Sequence, residues 1–368
     1  MQKYRTVVLG TGVRGRTHVK GLLESGRFEI VGLCDLDEAK MRSVAEEFSL
    51  DCKLYTDGET MLKEQRPDVF VFLTLPNLRL PMIELAEKYG VHAVSMEKPM
   101  AESLQEAKEM LEICRRANIK AVVCHQQKYL SQMQEMKKRI DDGEIGEVTM
   151  IYVNTQPWLA QLGTHYIDYA LWAAGGAHAK WVIGHAHGTA TLADSHPSPD
   201  HILGEFLLEN GVKVYLDCGY LSSGHLGEEY ADIDNRLCVY GTHGYVWAET
   251  DGYWGAFTKA TNGELLLGKN PGWYHHQEKQ IQTPYYISYA QWLDDDTKVH
   301  DCNIEISYHG YEILEGMCLS ALNHTRVDMP IANFDYQPVF EQMRKAFPDI
   351  GTKLRVLYDG KKPRKEAD

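Results

Sequence analysis

The 368-residue chain has too little positive charge to favour a polyanion: 38 lysines and arginines stand against 52 aspartates and glutamates, a formal net charge of −14. That balance argues against nucleic acid or an anionic membrane as partner. No apolar run approaches the length of a membrane span, and the first strand begins too near the N-terminus to leave room for a signal peptide. The eight cysteines, at 34, 52, 114, 124, 218, 238, 302 and 318, contain no C-x-x-C pair. They read as reduced, mostly buried thiols of a cytoplasmic protein. Sixteen histidines are present. Yet His185 and His187, His196 and His201, and His275 and His276 lack the spacing of a zinc site, and no metal is expected. No internal repeat interrupts the chain, and only residues 361–368 read as a flexible tail.

What is there begins with Thr6-Val7-Val8-Leu9-Gly10-Thr11-Gly12-Val13-Arg14-Gly15, followed by Glu29–Cys34 and Asp35. It has the order strand, glycine turn, helix, strand, acid. Gly10 makes the tight turn, Gly12 lets backbone approach a pyrophosphate, and Gly15 lets helix and strand pack closely. The helix offers unpaired N–H groups and its positive dipole end to the phosphates, with Thr11, Val13 and Arg14 in the same turn. Asp35 lies 20 residues beyond Gly15, where a carboxylate accepts ribose hydroxyls and repels a 2′-phosphate. The pattern points to a dinucleotide, NAD rather than NADP.

Up to residue 122, short β-rich runs alternate with amphipathic helical stretches: strands near Thr6–Leu9, Glu29–Cys34, Lys53–Tyr55, Val69–Leu73, His92–Met96 and Lys120–Cys124, and helices near Arg16–Ser25, Glu38–Phe48, Arg79–Tyr89 and Ser103–Ala117. This rhythm predicts a doubly wound parallel sheet of the Rossmann type, with ligands at the carboxyl ends of its strands. Beyond the helix Ser131–Asp142, longer strands with period-two alternation appear at Glu147–Asn154, Trp181–His187, Gly204–Leu208, Val212–Asp217 and Leu237–Tyr240, then a helix Asn303–Asn323. The chain is therefore expected to be α/β: a nucleotide-binding domain over 1–122, and an α+β domain with a large, mostly antiparallel sheet over 123–360. One face of that second sheet needs cover, which predicts a homo-oligomer, dimer or tetramer, through that face.

Three segments that follow strands are candidate binding loops: Gly10–Gly15, Thr74-Leu75-Pro76-Asn77 and Glu97-Lys98-Pro99. Lys98 is aimed at the strand-end crevice, where its amine can donate to a substrate hydroxyl and stabilise alkoxide charge; a turn lysine on the surface is the plain alternative. In the helix Thr164–Ala174, His165, Asp168 and Trp172 share one face at i, i+3 and i+7. A histidine beside a carboxylate suits a general base, and a buried structural histidine is the equal alternative. Trp158 and Trp273 are candidate platforms for a sugar's C–H face, although most aromatics are core or interface.

These residues together resemble the glucose–fructose oxidoreductase and inositol dehydrogenase family (Gfo/Idh/MocA) over nearly the whole chain. The resemblance rests on Gly15-Arg16-Thr17-His18, Thr74-Leu75-Pro76-Asn77, Met96-Glu97-Lys98-Pro99, Lys128-Tyr129, Asp142–Val148 and Gly163-Thr164-His165-Tyr166-Ile167-Asp168. It implies an NAD-dependent oxidoreductase acting on a secondary alcohol of a sugar, glycoside (C3 of a glucoside is one version) or cyclitol. Lys98 would hold the reacting hydroxyl and His165 act as acid/base. Gly10, Thr11, Gly12, Val13, Arg14, Gly15, Asp35, Thr74, Leu75, Pro76, Asn77, Glu97 and Lys98 would meet the cofactor. Tyr129, Trp158, Gln161, His165 and Asp168 would join Lys98 at the substrate. Two positions depart from the family pattern: Gln161 stands where relatives carry an Asp, and Leu80 where many carry a His. A neutral amide can orient a hydroxyl but cannot raise the imidazole pKa as a carboxylate does. Two other readings follow from the same residues: a dinucleotide-binding regulator without turnover, and a redox-neutral sugar enzyme that uses bound NAD transiently.

Overall fold

The computed structural model describes residues 3–194, 196–224, 233–270, 274–332 and 338–348. The expected tail at 361–368 and the candidate Trp273 lie outside the described residues. Two compact units emerge: residues 1–134 with 271–311, and residues 135–270 with 312–368. The grouping thus differs from a single cut at residue 122, because a later stretch of chain returns to the first unit.

The first unit is built on a six-stranded parallel sheet in the order β3-β2-β1-β4-β5-β6. Its strands are β1 (Tyr4–Leu9), β2 (Phe28–Cys34), β3 (Lys53–Tyr55), β4 (Val69–Phe72), β5 (Ala93–Met96) and β6 (Lys120–Val123). The connecting helices are α1 (Val13–Glu24), α2 (Glu38–Glu47), α3 (Gly58–Gln65), α4 (Arg79–Lys88) and α5 (Leu104–Arg116), and α6 (Ser131–Asp141) follows β6 along the chain. Strand order reverses between β1 and β4, which opens a crevice at their carboxyl ends. Apart from α3, these helices lie within a few residues of the expected ones. At eight residues, α3 is too short for periodicity to show, and its Asp57 N-cap accepting from the Thr60 N–H is the local signal for it.

Helix α8 (Tyr274–Asp294) was not expected, because Pro284 interrupts a run crowded with tyrosines. It packs beside α1 so closely that a Cβ on Gly21 would sit 2.8 Å from the Gln282 side chain. Tyr285, Tyr286 and Tyr289 are fully buried with Val8, Val19, Leu22, Phe28 and Leu33. Burying a phenol demands a partner for its hydroxyl. Tyr289 meets that demand by donating to the carbonyls of Val94 and Lys120 (2.9 and 2.7 Å).

The second unit carries a nine-stranded sheet ordered β14-β13-β12-β11-β7-β10-β9-β8-β15. These strands are β7 (Val148–Thr155), β8 (Ala179–His187), β9 (His201–Leu208), β10 (Lys213–Gly219), β11 (Asn235–Gly241), β12 (Gly244–Glu249), β13 (Tyr253–Thr258), β14 (Leu266–Lys269) and β15 (Val327–Asp328). All pairings are antiparallel except β7 with β10. Gly211, at φ +88°, turns β9 into β10, and the 241–244 turn joins β11 to β12. One face is covered by α7 (Thr164–Ala173) and by the C-terminal half of α9 (Ile304–Asn323). Tyr166 of α7 meets the Thr250 hydroxyl (2.9 Å), and the Gly184 N–H donates to Ser320 Oγ of α9 (3.0 Å). The opposite face presents Tyr152, Leu203, Tyr253 and Phe257 to solvent, around a cavity of about 250 Å³ lined by Tyr152, Ile183, His185, Leu203, Tyr215 and Asp217.

Helix α9 approaches β8 only because residue 184 lacks a side chain: a Cβ there would lie 2.2 Å from the Met317 carbonyl oxygen. Gly184→Ala is therefore expected to cost about 1–3 kcal/mol through overpacking, read as a lower midpoint in urea with an unchanged slope. A midpoint equal to that of the parent protein would contradict this packing.

Candidate functional site

The glycine turn after β1 has the geometry its spacing predicts. Gly10 sits at φ +97° and donates to the Cys34 carbonyl (2.8 Å), joining the ends of β1 and β2. A Cβ on Gly15 would lie 2.3 Å from the Gly10 carbonyl oxygen, so only glycine allows α1 to start this close to the strand. Gly12 differs: a Cβ there would meet nothing within 4 Å. It is the N-cap of α1, and no side chain caps the first-turn N–H groups. That is the cradle a pyrophosphate needs, and the donor set fits a dinucleotide. Val13, 82% exposed, lies at its edge.

Asp35 follows β2. Its Oδ2 accepts from the Thr11 N–H and hydroxyl (2.7 and 2.9 Å), and its Oδ1 from the Asp37 N–H (3.1 Å). Burial opposes its charge, but these hydrogen bonds outweigh burial and hold its pKa below the ordinary value. The carboxylate is thus fixed and ionised beside the glycine turn. Leu36, next in the chain, is 92% exposed. Sequence reasoning passed over it, though an apolar residue directly after the acid was the available signal.

After β4, Thr74 and Leu75 lead into a short turn over Pro76–Leu78, leaving Asn77 exposed and Leu75 57% exposed. After β5 come Glu97 and Lys98, and the Lys98–Pro99 peptide is cis. Glu97 Oε1 accepts from Arg14 Nε (2.9 Å) and lies 3.0 Å from His18 Nε2. An ionised carboxylate only accepts, so Nε2 carries the proton, and His18 Nδ1 accepts from the Tyr286 hydroxyl at 2.6 Å. Burial alone would neutralise Glu97, yet Arg14 and His18 hold its pKa well below the ordinary value. Burial lowers the pKa of Lys98 to about 8; Glu97 opposes that shift, while Arg14 and Arg79 add to it. His18, Glu97 and Cys124 bring three ligand-type atoms within 4.8 Å of one another. With Arg14 already on Glu97, the carboxylate has its counter-charge from protein.

Tyr129 closes the short turn Gln126–Tyr129 after β6. Its hydroxyl lies 3.0 Å from His300 Nε2 and its ring packs edge-on to Tyr285, which places it in the aromatic cluster of the first unit.

In the second unit, one continuous segment carries the other candidates. A π-helical turn over Leu159–Gly163 runs into α7, and Gly163 fits closely there, since a Cβ would lie 2.7 Å from Leu159 Cδ1 and 3.0 Å from Cys218 Sγ. Trp158, half-buried, donates from Nε1 to the His196 carbonyl (3.0 Å) and lies against Tyr220. Gln161, also half-buried, lies in the π-helical turn. His165 is 2% exposed, and its Nδ1 lies 2.8 Å from the Tyr169 hydroxyl, one turn on. Sequence spacing pointed to Asp168 as the neighbour of His165 and missed Tyr169, although i+4 lies as near as i+3 on a helix. Asp168 is fully buried. Every residue of the helix from Thr164 to Ala173 is buried. Trp172 lies under the Lys137 ammonium, 5.5 Å from its ring centroid.

All eight cysteines are free thiols, seven of them buried. Among the described residues, no helix is long and apolar enough to cross a membrane.

Residues 4–125 match the Gfo/Idh/MocA profile, described as an oxidoreductase family with an NAD-binding Rossmann fold, and residues 133–247 match that family's C-terminal domain. D-apiose dehydrogenase of Paraburkholderia graminis is 27% identical over 240 residues, 60% of this chain and 62% of that enzyme. D-glucoside 3-dehydrogenase of Escherichia coli is 22% identical over 250 residues, 59% of this chain and 70% of that enzyme. Among solved structures, an oxidoreductase from Agrobacterium radiobacter, crystallised with NAD+, L-tartaric acid and magnesium, superposes with a TM-score of 0.76 at 17% identity, covering 89% of this chain and 98% of that one. The glycine turn, the fixed acid after β2 and both domain matches lead to one conclusion: the chain belongs to the Gfo/Idh/MocA oxidoreductase family, with NAD as its cofactor.

Proposed function

We propose that this oxidoreductase oxidises or reduces a secondary alcohol of a sugar, glycoside or cyclitol, with Lys98 and His165 handling the hydroxyl proton. The observation that carries the reading is Lys98: a half-buried amine at the end of β5, with its pKa brought to about 8, beside an ionised Glu97. NAD, when bound, supplies the hydride acceptor or donor; the protein has to align the reacting carbon and manage one proton. Lys98 as ammonium donates to the substrate oxygen and stabilises its developing negative charge. His165, its ring oriented by Tyr169, takes the hydroxyl proton in oxidation and returns it in reduction. Gln161 orients a hydroxyl, and Asp168, Trp158 and Tyr129 complete the proposed substrate contacts. The dehydrogenases among its relatives support a carbohydrate as substrate, and C3 of a glucoside is one version.

Lys98→Ala and His165→Ala are each expected to lower kcat/KM on the order of a hundredfold or more, measured as nicotinamide absorbance over a panel of glycosides, cyclitols and free sugars. Parent-level activity in both variants would remove these roles. Because the ammonium form of Lys98 is the active one, kcat/KM should fall as pH rises through about 8. A profile flat from pH 7 to about 9.5 would count against the lysine.

For the cofactor, Gly10, Thr11, Gly12, Val13, Arg14 and Gly15 hold the pyrophosphate, and Asp35 the adenosine ribose. Thr74, Leu75, Pro76, Asn77, Glu97 and Lys98 flank the nicotinamide half. Gly12→Val should leave the thermal midpoint nearly unchanged, since its Cβ meets nothing, yet weaken NAD binding in calorimetry. Asp35→Ser should weaken NAD about tenfold or more and narrow the preference over NADP. Tight NAD binding by both variants would refute this assignment.

The open face of the nine-stranded sheet is the proposed self-association surface, because Tyr152, Leu203, Tyr253 and Phe257 leave apolar area uncovered. Sedimentation should show a dimer or tetramer that Leu203→Glu dissociates, while a monomer at micromolar concentration would end the idea.

A further inference from the structure

Arg79 is the first residue of α4 and is 1% exposed. A cation at a helix N-terminus opposes the helix dipole, so helix stability does not explain it. Nor does an ion pair, for it forms none among the described residues; its Nε and Nη1 have no hydrogen-bond partner there. What it does is bridge. Its Nη2 donates to the Thr74 carbonyl (3.2 Å) and to the Lys98 carbonyl (3.0 Å). One side chain from α4 therefore ties together the two loops that follow β4 and β5.

We propose that Arg79 is a positioning residue for Lys98, tying the loop after β4 to the loop after β5 and placing a fixed positive charge behind the lysine. A single nitrogen, Nη2, reaches both carbonyls, and a guanidinium stays charged when buried more readily than an ammonium does. Burial lowers the Arg79 pKa to about 10, which still leaves it a cation at neutral pH. The ionisable groups around Lys98 include Glu97 beside it, Arg14 from α1, Arg79 from α4 and Cys124 after β6; Arg79 is in turn influenced by Glu97 and by Tyr311 of α9. Glu97 favours the ammonium, and the two arginines favour the neutral amine. Burial is the largest influence and, with the two arginines, outweighs Glu97, so the amine is held near neutrality, where it can give up a proton and recover it. A surface lysine near 10.5 could not do so readily.

The inference rests on Lys98 serving as the proton-handling amine, but its test needs no substrate. Lysines of the free protein are dimethylated with 13C-formaldehyde, the Lys98 resonance is assigned by its loss in Lys98→Arg, and its titration midpoint is followed by NMR. Arg79→Met should raise that midpoint by roughly half a unit or more, and Arg79→Gln serves in its place where the methionine variant does not fold. Arg79→Lys, which keeps the charge, should titrate close to the parent. An unchanged midpoint in a folded, neutral variant overturns the proposal, and so does an Arg79→Lys midpoint displaced as far as that of a neutral variant. Absence of turnover with every sugar, with the midpoint shift intact, would instead sink the proposed reaction and leave the role of Arg79 standing.

Discussion

The Glu97 carboxylate is the interaction on which the rest of the first unit's chemistry depends. It sits in a low-dielectric place where burial alone would neutralise it, and it stays ionised because Arg14 and His18 meet it directly. His18 can donate to it only because Tyr286, from a helix far along the chain, satisfies the other ring nitrogen. A buried charge that loses one partner is costly, so these groups form one unit rather than a set of separate contacts. Lys98 is adjacent to that unit in sequence and takes its protonation from it.

The two ends of the crevice use their charge differently. At Asp35, a carboxylate is held by backbone N–H groups and a hydroxyl, with the charge left for a ligand. At Glu97, the charge is consumed inside the protein, beside a half-buried amine whose pKa is lowered to about 8. A fixed anion suits recognition of neutral hydroxyls, and a cation close to its own pKa suits proton transfer. Under the proposed function, the same residue class at equivalent strand ends serves recognition in one place and reactivity in the other.

Much of this was legible in the sequence. The glycine spacing and Asp35 specify local backbone geometry, and local geometry follows from residue type: Gly10 takes a positive φ and Gly15 leaves no room for a Cβ. The strand alternation likewise located the first sheet and β7 to β11 of the second, but not β12 to β15. What stayed hidden was long-range. Nothing near Pro284 announces a helix whose tyrosines fill the core of a sheet ended by residue 123. Arg79 looked like an ordinary helix residue, since its partners are carbonyls, which any sequence supplies. The Tyr169 hydroxyl beside His165 was not legible, because charge draws the eye to Asp168 and a neutral hydroxyl at i+4 carries no such signal.

The position of α8 has a consequence for how the molecule is made. Phe28, Leu33 and their neighbours leave the ribosome long before Tyr285, Tyr286 and Tyr289, the side chains that complete their core. Throughout synthesis of the intervening strands, the nascent nucleotide-binding sheet has a greasy flank without its cover. Vectorial folding can therefore finish the later-encoded sheet's central strands first and seal the earlier one afterwards, which makes the stretch near residue 289 the closing stitch of the N-terminal half.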